Sequence, residues 1–288
     1  MPAFSTRYHT ASIDGLDVFY REAGDPDKPT LLLLHGFPSS SHMFRHLIES
    51  LSDDYHLVAP DHIGFGRSSM PSVADFTYSF DRLTEITEKL ITHLGLDRFA
   101  LYIHDYGAPI GLRIASAHPE RIIALISQSG NAYMEGFTPF WDVLFAHAQD
   151  REANEAEVRT YLSAEKTHWQ YTHGVPEDRL DRLAPETWLL DQSGLDRPGN
   201  DAVQLQLFWD YQFNLDGYPK FQEYFRTHQP PLLVTWGKND EIFGVAGAEA
   251  FKRDLPNGEY HLLDAGHFAL ETHGREISEY IRAFMAGL

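Results

Sequence analysis

Three side chains suited to chemistry stand where the chain leaves an apolar run. In Phe99-Ala-Leu-Tyr-Ile-His-Asp105-Tyr-Gly107, a strand pattern breaks at Asp105 and continues as a helix. A carboxylate on so sharp a turn needs small neighbours. Gly107 supplies one, but Ile103 fills the preceding small-residue position, so the match to a strained strand-to-helix elbow is partial. The plain alternative is that Asp105 only caps the following helix. Asp240, in Trp236-Gly-Lys-Asn-Asp240, follows a later run, and His267, in Leu263-Asp-Ala-Gly-His267-Phe268, follows another. One histidine among sixteen is ordinarily a surface or core residue, and an aspartate after a strand is ordinarily a turn former. Here each falls where a loop carries catalytic groups, in the order nucleophile, acid, base.

A carboxylate attacking an acyl carbon would give a reactive anhydride, so Asp105 points to displacement at a saturated carbon and an aspartyl ester. His267, oriented by Asp240, would then deprotonate a water that attacks the ester carbonyl. The run Leu31-Leu-Leu-Leu-His-Gly-Phe37-Pro38 ends in a turn able to present the Phe37 amide opposite the elbow. With the Tyr106 amide at the start of the next helix, it would hold the oxyanion. Such a scheme needs no metal and no organic cofactor. There is no Gly-x-Ser-x-Gly; the nearest rival, Ser129, has Ser127 and Asn131 where the glycines belong.

Apolar runs at Leu31–Leu34, His56–Ala59, Phe99–Ile103, Ile122–Ile126 and Leu232–Trp236 are strand length and apolar at successive positions, as a sheet buried on both faces requires. The clearest helix between them has Phe80, Leu83, Ile86, Leu90 and Leu94 on one face and Ser79 as its cap. Alternating strands and helices predict a parallel α/β sheet. The alternation stops after Ser129 and resumes at Pro231, leaving a helical, aromatic-rich stretch that reads as an inserted cap over residues 132–228, with a core of 1–131 and 229–288. Trp141, Trp169, Trp188 and Trp209 fall in the insert. Of these only Trp169 is assigned to the pocket; the others are expected to fill the cap's own core. The acidic run from Asp150 reads as a solvated helix face.

With 288 residues and 43% hydrophobic composition, the chain can bury one large core. A formal charge of −19 disfavours nucleic acid and anionic membranes and suits a small neutral organic substrate. The absence of cysteine excludes disulfides, thiolate metal sites and a cysteine nucleophile. With no signal-like N-terminus and no apolar stretch of membrane-span length, a soluble cytoplasmic protein is expected, monomer or homodimer.

The segments His35-Gly-Phe-Pro38, Asp61-His-Ile-Gly-Phe-Gly-Arg-Ser68, His104-Asp-Tyr-Gly107, Trp236-Gly-Lys-Asn-Asp240 and Gly266-His-Phe268 together resemble the α/β-hydrolase superfamily, in its aspartate-nucleophile branch of epoxide hydrolases and dehalogenases. The resemblance implies an α/β-hydrolase fold, a mostly parallel eight-stranded sheet flanked by helices with an inserted helical cap. It implies Asp105, Asp240 and His267 as the triad, and a substrate site that includes Phe37, His104, Tyr106, Trp169 and Tyr171. The Gly64-Phe-Gly66 pair is a structural turn in that family and lacks the third glycine of a dinucleotide fingerprint.

Within the branch, the leaving group separates the chemistries: an epoxide oxygen needs an acid, whereas a halide needs N–H donors that stay protonated. Haloalkane dehalogenases commonly carry Asn after His-Gly and Trp after the nucleophile; this chain has Phe37 and Tyr106. Epoxide hydrolases share His-Gly-Phe-Pro and use two cap tyrosines. Tyr211 resembles the later one, and the earlier position falls on His168 or on nearby Tyr171. The pair His168-Trp169 with Tyr211 also resembles the fluoride pocket of haloacetate dehalogenases, but the arginines that follow the nucleophile there are Tyr106 and Pro109 here. An epoxide hydrolase with Tyr211 and His168 as ring-opening donors is therefore expected. A dehalogenase and a non-catalytic ligand-binding member of the fold are the alternatives.

Overall fold

The computed structural model describes residues 5–288. Its strands are β1 (Arg7–Ile13), β2 (Leu16–Ala23), β3 (Thr30–Leu34), β4 (His56–Pro60), β5 (Phe99–His104), β6 (Ile122–Gln128), β7 (Leu232–Gly237) and β8 (Glu259–Leu263). They form one eight-stranded sheet in the order β1-β2-β4-β3-β5-β6-β7-β8. β1 pairs antiparallel with β2, and β2 antiparallel with β4; every other pairing is parallel. The five apolar runs of the sequence are the five central strands, β3 to β7, and they are covered on both faces. Successive apolar residues go to opposite faces, so Leu32 and Leu34 enter one core while Leu31 and Leu33 enter the other.

Core helices α1 (Arg45–Leu51), α2 (Phe80–His93) and α3 (Gly107–Ala117) lie between the early strands. α2 starts where its sequence predicts, with Ser79 Oγ accepting the Arg82 amide, and buries Phe80, Leu83, Ile86 and Leu90. Between β6 and β7 the chain is wholly helical among its described regular elements, as α4 (Asp142–Gln149), α5 (Arg151–Val158), α6 (Ala164–Thr172), α7 (Glu186–Leu195), α8 (Asn200–Asp210) and α9 (Gln212–His228), with short 3-10 turns. α10 (Val245–Asp254) and α11 (Ala269–Ala286) complete the chain. No described helix is long and apolar enough to cross a membrane.

These helices between β6 and β7, here called the insert, are tied to the sheet and its flanking elements by polar contacts as well as by aromatic packing. Trp141 Nε1 donates to the Ile242 carbonyl at 2.8 Å, and Arg197 Nη2 donates to the Gly64 carbonyl at 2.8 Å. Asp210 accepts the Phe80 amide at 2.7 Å, so a charged residue of α8 caps the start of α2.

Candidate active site

The strand-to-helix turn after β5 puts Asp105 at φ +49, a left-handed conformation held by a tight fit around it. A Cβ on Gly107 would meet the Leu34 carbonyl oxygen at 2.2 Å, and one on Gly36 would meet the Asp105 Cβ at 2.3 Å. Only glycine lets both turns approach so closely. The Ile103 that weakened the sequence match belongs to the buried strand, and the elbow forms with it in place. α3 then begins at Gly107, with Pro109 in its first turn, where a missing N–H leaves no bond unmade.

Asp105 is almost wholly buried. Its Oδ1 accepts the Phe37 amide at 2.6 Å, and the Tyr106 amide also bonds the carboxylate. Its Oδ2 lies 3.9 Å from His267 Nε2. His267 Nδ1 is 2.9 Å from Asp240 Oδ2. This bond makes Nδ1 a protonated nitrogen, so that in the neutral ring the Nε2 lone pair faces Asp105. Asp240 is itself over-determined: its Oδ1 accepts the amides of Ile242 at 2.8 Å and Phe243 at 3.1 Å, and Ser129 Oγ donates to Oδ2 at 2.7 Å.

Charge follows from this geometry. Burial pulls the His267 imidazolium down, but Asp240, through charge and hydrogen bond, and then Asp105 outweigh it, and the net shift is upward. Burial pushes the Asp105 carboxyl up, against the pull of His267 and the two amides. His104, on the last residue of β5, has its ring 4.6 Å from that of His267 and Nδ1 3.0 Å from the Gln128 carbonyl. Burial holds it well below the usual histidine range, with the nearby His267 adding to the effect, so it is neutral. Gln128 Nε2 in turn donates to the His267 carbonyl at 3.1 Å, fixing the backbone of the loop that carries His267.

An aromatic box forms around Tyr106, the residue next to Asp105. Tyr106 lies 4.9 Å from Phe80, 5.9 Å from Phe37 and 5.9 Å from Tyr211 between ring centroids. Tyr211, at the junction of α8 and α9, stands 4.3 Å from Trp141, and its hydroxyl is hydrogen-bonded to Tyr218. Tyr218 Oη also accepts from Asn131 Nδ2 at 3.3 Å. The Tyr106 hydroxyl is buried without a protein partner among the described residues. Burial, with Asp105 close by, pushes both phenols well above their ordinary value, so both stay protonated.

Not every residue singled out in the sequence comes to this box. The His168 side chain is exposed on the flank of α6, edge-on to Trp188, in an open surface hollow with Trp169 and Leu180. It is thus not beside Asp105: α6 turns Thr167, Gln170 and Tyr171 inward and leaves His168 on the opposite face. Tyr171 is buried, but it stacks on Phe268 at 3.9 Å and donates to Asp191, in the other hydrophobic cluster. Trp169 packs half-buried between Phe140 and His173, with the Lys166 ammonium over its ring. The tryptophan that meets Tyr211 is Trp141, expected from its sequence context only to fill the insert's own core. Ser129, set aside as a nucleophile, is the hydroxyl that grips Asp240; Tyr218 and Asn131 carried no motif at all.

The chain is 42% identical over 286 residues to an uncharacterized hydrolase of Saccharomyces cerevisiae, covering 97% of each chain. It is 41% identical over 276 residues to haloalkane dehalogenase 1 of Mycobacterium bovis, covering 87% of this chain and 82% of that one. Epoxide hydrolase 3 of Mus musculus is 25% identical over 293 residues, with 95% and 75% covered. The family model for the alpha/beta hydrolase fold matches residues 29–274, and with the eight-stranded sheet, this places the chain in the α/β-hydrolase family as a hydrolase.

Proposed function

We propose that the protein hydrolyses epoxides to vicinal diols through an ester of Asp105. The observation that carries this reading is the pair of protonated phenols, Tyr211 and Tyr106, grouped around the buried nucleophile, where a leaving alkoxide needs a proton. The indole N–H beside them, that of Trp141, is already committed to the Ile242 carbonyl and is not free to cradle a halide. Tyr106 takes the place in the scheme that the sequence assigned to His168.

In this reading Asp105 Oδ2 attacks a ring carbon, the C–O bond breaks, and a tyrosine proton passes to the oxygen. His267 Nε2 then takes a proton from water as the hydroxyl adds to Asp105 Cγ, and the oxyanion forms on Oδ1 under the Phe37 and Tyr106 amides. Collapse breaks the Cγ–Oδ2 bond and releases the diol with the proton from His267. The proton left on Asp105 restores the tyrosine. Phe37, Phe80, Trp141 and Phe208 surround the box with apolar surface, which suits a neutral substrate.

A dehalogenase is the second reading, and the 41% identity to haloalkane dehalogenase 1 is the observation that favours it. Incubation with styrene oxide and with 1,2-dibromoethane in parallel separates the two. Diol without bromide supports the epoxide reading; bromide without diol overturns it and leaves the same triad serving halide displacement.

A further inference from the structure

Behind the turn that presents the Phe37 amide, the seam between sheet domain and insert encloses a cavity of ≈ 250 Å³. It is walled by β2, by the Pro38–Ser40 turn, by the turn at Gly66, and by the end of α7. Three arginines from three separate stretches of chain line it: Arg21, Arg67 and Arg197.

Each is held in place by neutral partners. Arg21 Nε donates to Ser41 Oγ at 3.1 Å, and its guanidinium lies 5.2 Å from the centre of the Tyr8 ring. Arg197 donates to the carbonyls of Gly64 at 2.8 Å and Gly194 at 3.3 Å. Arg67 sits 5.3 Å over Phe19. In a chain with 42 acidic and 23 basic residues, a cavity ringed by arginines tethered to hydroxyls, rings and carbonyls runs against the overall charge.

Two carboxyls share the wall, and neither neutralises the arginines by direct contact. Asp61 is buried with both oxygens engaged, Oδ1 by the Ser41 amide at 2.7 Å and Oδ2 by the Arg67 amide at 2.8 Å. Asp191 accepts the Tyr171 hydroxyl, and burial, reinforced by Glu271 and Asp61, pushes it up to about 8, so it is mostly uncharged at neutral pH. The cavity is therefore net positive and partly shielded from water, where guanidinium forks bind an oxyanion most strongly.

We infer that this cavity is a binding site for a compact oxyanion, the phosphate or carboxylate group of a small molecule, gripped by Arg21, Arg67 and Arg197. Its lining includes the Pro38–Ser40 turn but not Asp105, Asp240 or His267, so it is independent of which bond the triad breaks. Its ligand braces the turn whose Phe37 amide contacts the nucleophile.

The test is thermal melting of the full chain with inorganic phosphate and, separately, with acetate, each against sodium chloride at matched ionic strength. A saturable rise in Tm beyond chloride is expected with at least one of them; which one responds tells phosphate from carboxylate. Arg21→Gln and Arg197→Gln should each weaken the apparent affinity about tenfold, the scale of one charge-assisted hydrogen bond. Arg67→Gln, at an exposed position, should do the same with no risk to folding. Arg151→Gln, over Trp209 and outside the cavity, should leave the affinity unchanged. No rise beyond chloride, or a rise that survives all three cavity variants, overturns the assignment.

Discussion

Ser129 Oγ and His267 Nδ1 meet the same oxygen, Asp240 Oδ2, at 2.7 and 2.9 Å. Among the described residues the serine hydroxyl makes no other hydrogen bond, and its residue is held at φ +52 just past β6. Ser129→Ala should lower kcat about tenfold with KM little changed, because Asp240 loses one of the donors that fix its rotamer. It should also move the acid limb of the pH profile upward, since a less satisfied carboxylate holds the His267 proton more tightly. Steady-state kinetics across pH reads both.

His267→Gln should separate the two halves of the proposed reaction. The Asp105 ester forms without a base, whereas its hydrolysis needs one, so the variant should accumulate covalent enzyme. Intact mass after incubation with styrene oxide should increase by the mass of the epoxide, and Asp105→Asn should show no adduct.

The pH dependence has a determined sign. Asp105 is one of the charges that raise His267, and alkylation removes that charge. In the ester the imidazolium should titrate lower than in the free enzyme, so the base is released when it is needed. Single-turnover hydrolysis should therefore show its acid limb below the titration of His267 followed by NMR in free enzyme.

Tyr211→Phe and Tyr106→Phe should each slow ester formation roughly a hundredfold, the usual scale for a lost general acid, and leave ester hydrolysis nearly untouched. His168→Ala, on the exposed face of α6, should keep wild-type rates. Rapid-quench measurement of the adduct distinguishes the three.

Asp191 gives a stability signature. Its folded value, about 8, lies above the ordinary carboxyl range, so the folded state binds a proton that the unfolded chain has released. Its contribution is full below about pH 4 and is lost as the pH rises through 8, which makes the slope of stability against pH negative in that window. Asp191→Asn keeps an acceptor for Tyr171 and should flatten this slope. Chemical denaturation at pH 6 and pH 8 measures the difference.

The centre of the fold was readable because β3 to β7 are buried on both faces and declare it as unbroken apolar runs. β1 and β2 were not, and β8, Glu-Tyr-His-Leu-Leu, showed only as the short run ahead of His267: it lies at a sheet edge and is mostly half-exposed, so most of its composition resembles a loop. Asp105, Asp240 and His267 are placed by local turns, and local spacing locates them. The aromatic box depends instead on how helices of the insert rotate. α6 has a weak apolar stripe, and neither His168 nor Tyr171 betrays in sequence which way it faces. Trp141 and Tyr218 join Tyr211 only through packing across the insert, at sequence separations that no short motif spans.

The contacts that seat the insert have a property that bears on how such an enzyme changes over generations. Trp141, Asp210 and Arg197 grip the sheet domain through the carbonyl of Ile242, the amide of Phe80 and the carbonyl of Gly64, all groups of the main chain. A main-chain partner persists through any side-chain substitution that keeps the backbone path. The docking is thus largely blind to sequence drift beneath it, since a divergent sheet that keeps the same backbone path keeps each of these polar anchors.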